Sequence, residues 1–199
     1  MAEVMDERTY QLGEATVTLR MMDLGDAKYD DPYELARHLG VAPSVFLSFY
    51  LPAEPYRQAY LVMGYRGEAS WTAIFSTSLG TGGIVAPVLW GSRGWVLTAF
   101  GEYLYGLDIA HGGLAWKFPP NFGDGYPIHA LAVDVLAEVV FVVTELNVVA
   151  VRPTLWVYSH DDIVVGIRRE TGLLEIEQWD GVRFWLDAKT GERVEGPGG

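Results

Sequence analysis

The apolar positions of this chain alternate. Val17, Leu19 and Met21 interleave with Thr16, Thr18 and Arg20, so 15–22 reads as a strand with one buried face. Tyr10-Gln11-Leu12 precedes it across Gly13-Glu14 as the other arm of a pair. In 44–51, Val45, Leu47, Phe49 and Leu51 share one face, and Phe46 and Tyr50 the other. Two apolar faces predict a central strand or a covered sheet. The segments 60–65 and 70–75 predict a hairpin about Arg66-Gly67-Glu68. Short strands then recur from 88 to 194, about a dozen in all. One helix interrupts them, over Pro32–Leu39: Pro32 suits its first position, Asp31 its N-cap and Gly40 its C-terminal stop. Glu34 in its first turn and Arg37 and His38 in its last match the helix dipole, so His38 reads as a helix-end cation. A parallel α/β sheet would need a helix between successive strands and is excluded. The expected fold is mainly β, built from antiparallel meanders and stacked hairpins, with one short N-terminal helix.

The stretch Glu102–Phe118 is the clearest unit in this pattern. Leu104 to Ile109 is an apolar strand, and Gly112-Gly113 allows a tight turn. Leu114, Trp116 and Phe118 form the alternating return strand. Two later segments align with it on Gly172 and Gly191, at intervals of 60 and 19 residues. The unit resembles the quinoprotein-type (PQQ-like) β-propeller repeat, in which Leu-Asp-x-x-Thr-Gly-x-x-x-Trp joins two blade strands. Leu107, Asp108, Gly112 and Trp116 match it, with His111 at the Thr position. Leu186, Asp187, Thr190 and Gly191 match, with Glu195 at the Trp position. Ile167, Thr171 and Gly172 match, with Arg168 and Ile176 replacing Asp and Trp. The resemblance covers 95–196 and implies blade-like hairpins. It implies no quinone, because the repeat is mainly a structural unit, and no cofactor is expected.

Composition narrows the function. Half of the 199 residues are apolar and seven are Trp, enough for a real core in a single domain. The turn-rich 119–127 is the best seam, and 196–199 reads as a disordered tail. The absence of Cys removes disulfides, thiolate catalysis and zinc–thiolate sites. The N-terminus has neither a basic region nor an apolar core of a secretory signal, and charges interrupt every long apolar run. A cytoplasmic location is the default expectation. The net charge of −12 sits at the ends: nine acids against four bases in 1–40, twelve against six in 128–199. Such a surface repels phosphate, so nucleic acid and anionic membrane are poor partners. It suits a basic protein partner, and the Asp-rich loop with Asp23, Asp26, Asp30 and Asp31 is the candidate contact. That loop lacks the spacing of a calcium-binding loop. Exposed strand edges are also compatible with a homodimer.

Catalytic signals are sparse. There is no Gly-x-Ser-x-Gly elbow. The glycine-rich 78–83 lacks the Lys of a phosphate loop, and Pro87 follows it. His160, Asp161 and Asp162 form the most suggestive metal-ligand cluster, and His111, His129 and Asp108 complete the donors of a metal-assisted or carboxylate-based hydrolase. A small-ligand site lined by Trp and Tyr is the other alternative. The reading ranked first is a non-catalytic acidic interaction protein.

Overall fold

The computed structural model describes residues 3–25, 32–49, 58–77, 84–100, 103–118, 128, 130–134, 139–144, 146–151, 156–159, 162–170 and 172–197. They form four sheets in chain order. The first has the order β1-β2-β4-β5-β3, from Glu3–Leu12, Ala15–Asp23, Gln58–Arg66, Ala69–Thr77 and Val45–Phe49 respectively. The second is β6-β7-β8-β9 (Val88–Trp90, Trp95–Phe100, Tyr103–Asp108, Leu114–Phe118). The third is β10-β11-β12-β13 (Ala130–Asp134, Val139–Val143, Asn147–Val151, Trp156–Ser159). The fourth is β14-β15-β16-β17 (Val164–Glu170, Leu173–Gln178, Arg183–Asp187, Arg193–Val194). All pairings are antiparallel except β3 with β5. The mainly β fold read from alternation is therefore correct, and the second, third and fourth sheets are four-stranded antiparallel meanders.

Each sheet packs face to face on the next. Val17, Leu19, Tyr60, Val62 and Phe75 of the first meet Val96, Tyr105 and Leu107 of the second. The opposite face of the second, with Trp90, Leu97 and Leu104, meets Val140, Val142, Val149 and Val151 of the third. The third then turns Phe141, Val148 and Ala150 to Leu174, Ile176, Phe184 and Leu186 of the fourth. The central strands of the third sheet are thus buried on both faces, which is why β11 is an unbroken apolar run and β12 is one from Val148 to Val151.

The row has two ends among the described residues, where no buried apolar cluster joins the fourth sheet to the first. The free face of the first sheet, with Met22, Ala59, Leu61 and Ile74, is covered by Leu35 and Ala36 of helix α1 (Pro32–His38). That helix stops as its sequence predicts. Gly40 is left-handed at φ 67°. Its N–H donates to Arg37 O at 3.1 Å and that of Val41 to Ala36 O at 3.1 Å, the paired bonds of a Schellman stop.

Two expectations are refined. β3 (Val45–Phe49), expected as a central strand or part of a covered sheet, is covered on both sides and lies at a sheet edge, because it belongs to the insertion between β2 and β4 and adds outside β5. Gly172 is not a third copy of the Gly112 corner. It turns β14 into β15, whereas Gly112 and Gly191 each join the last two strands of a sheet. The expected tail begins with Gly196, whose backbone lies against the Trp185 indole. The seam at 119–127 falls outside the described residues, as do 198 and 199. No described helix is long and apolar enough to cross a membrane.

Candidate functional site

Two corners of the same construction hold the row together. At the first, Asp108 Oδ1 accepts the N–H groups of Ala110 (3.0 Å) and His111 (2.8 Å), and Gly112 N–H donates to Asp108 O (2.7 Å). At the second, Asp187 Oδ1 accepts Lys189 N–H (2.8 Å) and Thr190 N–H (2.8 Å), and Gly191 N–H donates to Asp187 O (2.8 Å). Asp in this role closes a turn by satisfying the following amides. Each corner receives a tryptophan from the preceding sheet. Trp71 Nε1 donates to Ile109 O at 3.0 Å, and Trp156 Nε1 to Ala188 O at 3.2 Å.

The rings fit because their neighbours lack bulk. A Cβ on Gly112 would lie 2.4 Å from Trp71 Cδ2, and one on Gly64, the cross-strand partner of Trp71, 2.1 Å from its Cε2. A Cβ on Gly191 would lie 2.5 Å from Trp156 Cε3, and Ala150 stands opposite Trp156. Each indole is thus sandwiched between its own sheet and the next corner. The joint between second and third sheets is filled differently. Trp95 stacks on Trp116 (6.2 Å, 15°), Trp116 on Phe118 (5.7 Å, 20°), and Trp90 stands edge-on to Trp95 (5.9 Å, 82°).

These corners are structural. Burial pushes the Asp108 carboxyl up, but the His111 and Ala110 amides and the His111 ring outweigh it and leave its pKa below the usual range. The Thr190 and Lys189 amides likewise hold Asp187 low. His111 Nδ1 lies 3.0 Å from Asp108 Oδ1 with its side chain 85% exposed, so the pair occupies the outside of the corner.

The face of the fourth sheet turned away from the third carries both charged and exposed apolar side chains. Leu174, Ile176, Phe184 and Leu186 point at the third sheet, so the alternate residues point away. Along β14–β16 they form an ionic ladder. Arg183 Nη2 meets Glu177 Oε1 at 2.9 Å, and Arg183 Nη1 meets Glu175 Oε1 at 3.9 Å. Arg168 Nη2 meets Glu170 Oε1 at 3.3 Å, and Arg168 Nη1 meets Glu175 Oε2 at 3.9 Å. At one end the ladder gives way to apolar side chains. Trp179, on the β15–β16 turn, is 76% exposed, with Ile163 at 40%, Val165 at 46% and Val182 at 43%. Trp179 N–H donates to Ile163 O (2.8 Å), which sets the two side by side, and Val165 sits in a bulge of β14. The turn is fixed by Asp180 Oδ1, which accepts Val182 N–H at 2.9 Å, and by Gly181 at φ 83°.

The candidate residues read from sequence fall in several places. Asp162 lies beside this patch, with Oδ1 2.7 Å from Ile163 N. Its intended companions His160 and Asp161 lie outside the described residues, as do His129, Asp26, Asp30, Asp31 and the glycine-rich 78–83. Asp23 Oδ1 accepts Gly25 N–H at 2.7 Å and closes its own turn. Asp108 and His111 come together, but among the described residues no three His, Asp or Glu side chains are grouped to hold a metal. Sequence reasoning missed Trp179. Its signal was a tryptophan directly before Asp-Gly in a turn, where a ring has little to pack against.

No protein-family model and no curated protein matches the chain. Among solved structures it is similar to dihydro-heme d1 dehydrogenase NirN in complex with DHE, at 14% identity and TM-score 0.48 over 68% of this chain and 33% of that one. It is similar to HIRA(644–1017), at 11% identity and TM-score 0.49 over 96% and 53%. It is also similar to BamB from Moraxella catarrhalis, at 9% identity and TM-score 0.47 over 98% and 76%. The chain spans a third of the NirN chain and about half of the HIRA chain.

Proposed function

We propose that this chain is a non-catalytic binding scaffold whose partner is a basic protein segment, seated on the free face of the fourth sheet. The observation that carries this reading is Trp179, 76% exposed beside Ile163 and Val165 at the end of an ionic ladder. A tryptophan with aliphatic neighbours in water is the usual make-up of an interface anchor. The charges around it select the partner. Glu170, Glu175, Glu177, Asp162 and Asp180 stand on or beside the face, against Arg168 and Arg183, which those glutamates already engage. A segment with an apolar side chain flanked by Lys or Arg fits both features. Apolar contact with Trp179 supplies affinity, and the carboxylates supply orientation and encounter rate. The proposed contact thus moves from the N-terminal Asp loop to the acidic C-terminal third.

The test is selection of a random displayed peptide library on the intact protein. Enriched peptides are expected to carry Lys or Arg around an apolar residue. Their affinity should fall about thirtyfold with Trp179→Ala, as for an interface anchor, and several-fold more with added salt as the charges are screened. Peptides without basic residues, or binding indifferent to Trp179→Ala, would overturn the reading.

A further inference from the structure

A second feature lies between the first two sheets, beside the Trp71 clamp. It is an open cavity of about 380 Å³. Leu12, Leu89 and Ile109 give it apolar walls, and the backbones of Gly91 and Gly94 form one side. Two charged side chains line it, Glu14 from the β1–β2 turn and Arg66 from the end of β4, with Glu14 Oε2 3.4 Å from Arg66 Nη2. We infer that this cavity is a binding site for a small zwitterion: a carboxylate and an ammonium group on one short apolar body, as in an aliphatic amino acid.

Three observations support the assignment. The volume is at the small end of the range for ligand sites, about 300–1,000 Å³, which favours a compact ligand. The walls are fixed before any ligand arrives. Gly94 N–H donates to Gly91 O (3.1 Å), and Ile109 N–H donates to Gly94 O (2.9 Å). Ile109 O is held by the Trp71 indole at 3.0 Å, and the Gly13 turn packs on Leu89. Walls that need no ordering keep more of their contact energy as affinity. Finally, the charges are of opposite sign and adjacent. Arg66 offers a guanidinium to a carboxylate, and Glu14 offers a carboxylate to an ammonium. Both are solvated, with side chains 48% and 85% exposed, so parting them to admit a ligand costs little. The aliphatic lining is the physical alternative to the Trp- and Tyr-lined pocket expected from sequence. Trp71 lies outside that lining and instead locks the joint.

The test is an amide-resolved NMR titration of the whole chain with three probes of one shape: L-leucine, 4-methylpentanoate and 3-methylbutylamine. L-Leucine is expected to saturate, moving the amides of Gly91, Gly94 and Ile109, and to bind more tightly than either single-charge probe. Arg66→Ala should weaken leucine several-fold, the upper end of what a solvent-exposed ion pair contributes. Glu14→Gln should erase the preference for leucine over 4-methylpentanoate. Gly91→Phe should block all three, at a position where an added Cβ meets nothing within 4 Å. Its melting temperature serves as the folding control. The inference fails if leucine does not saturate at millimolar concentrations, if 4-methylpentanoate binds as well as leucine to the unaltered protein, or if the shifts survive both Arg66→Ala and Gly91→Phe.

Discussion

The outer joints of this row and its middle joint solve one packing problem in two ways. At the outer joints a single indole crosses to the next sheet, donates one hydrogen bond to a backbone carbonyl, and fills a space that glycine leaves open. At the middle joint Trp90, Trp95, Trp116 and Phe118 of the second sheet lie with their neighbours against a wall of four valines. The first arrangement is directional and tolerates no added atom at its glycine. The second is apolar contact, which adjusts to changes in shape. The outer joints therefore set the register of neighbouring sheets, and the middle joint supplies mainly buried area.

The glycine corners give the sharpest test of that difference. Gly112→Ala places a methyl 2.4 Å from the Trp71 ring, at a residue with φ 67°. The left-handed backbone costs about 1–2 kcal/mol without glycine, and overpacking adds about 1–3 kcal/mol. A loss of about 3 kcal/mol in urea unfolding is expected, and the same for Gly191→Ala. Gly172→Ala is the control, because its φ is 76° but a Cβ there meets nothing within 4 Å. It should cost only the backbone term, about 1–2 kcal/mol. Equal losses at Gly112 and Gly172 would remove the clamp from the account.

The two kinds of joint also predict different responses to Trp→Phe. Trp71→Phe deletes the donor to Ile109 O and leaves that carbonyl without its indole partner. Trp90 is 1% exposed, and its Nε1 has no hydrogen-bond partner among the described residues. Trp90→Phe removes a desolvated donor together with some packing, so the two changes partly offset. Thermal or urea denaturation should find Trp71→Phe more costly by about 1–2 kcal/mol, the scale of a lost buried hydrogen bond. The reverse order would mean that the indole–carbonyl bond is incidental.

These contrasts explain what could be read from sequence. Alternation located the first-sheet strands, and Pro32 with Gly40 located the helix, because both signals are local. The Asp108–Gly112 and Asp187–Gly191 corners were legible because the Asp closes its own turn. The clamps were not, since nothing near Gly112 in the chain announces that Trp71 of another sheet will lie on it. For the same reason Gly172 looked equivalent to Gly112: turn chemistry is shared, and only the third dimension separates a corner that holds a ring from one that holds none. The fourth sheet carries Glu195 where the repeat has Trp, and Glu195 is exposed.

Acid should expose the smallest difference. The donors at Asp108 and Asp187 hold both carboxylates below the ordinary range in the folded protein. A lowered folded pKa contributes stability that is fully present above the unfolded value, about 3.9, and is lost as pH falls through the folded value. The outer joints should therefore loosen below about pH 4, while the middle joint, built from rings and valines, has no such dependence of its own. Both carboxylates are substantially solvated, so the effect is a modest slope, not a collapse. The double variant Asp108→Asn, Asp187→Asn keeps an accepting oxygen at each corner and cannot titrate. Its stability should fall less steeply than that of the unaltered chain between pH 4 and pH 2, roughly the carboxylate range. Indistinguishable slopes would mean that the corners hold their shape whether or not the carboxylates are charged, leaving the indole and the glycine as the whole of the clamp.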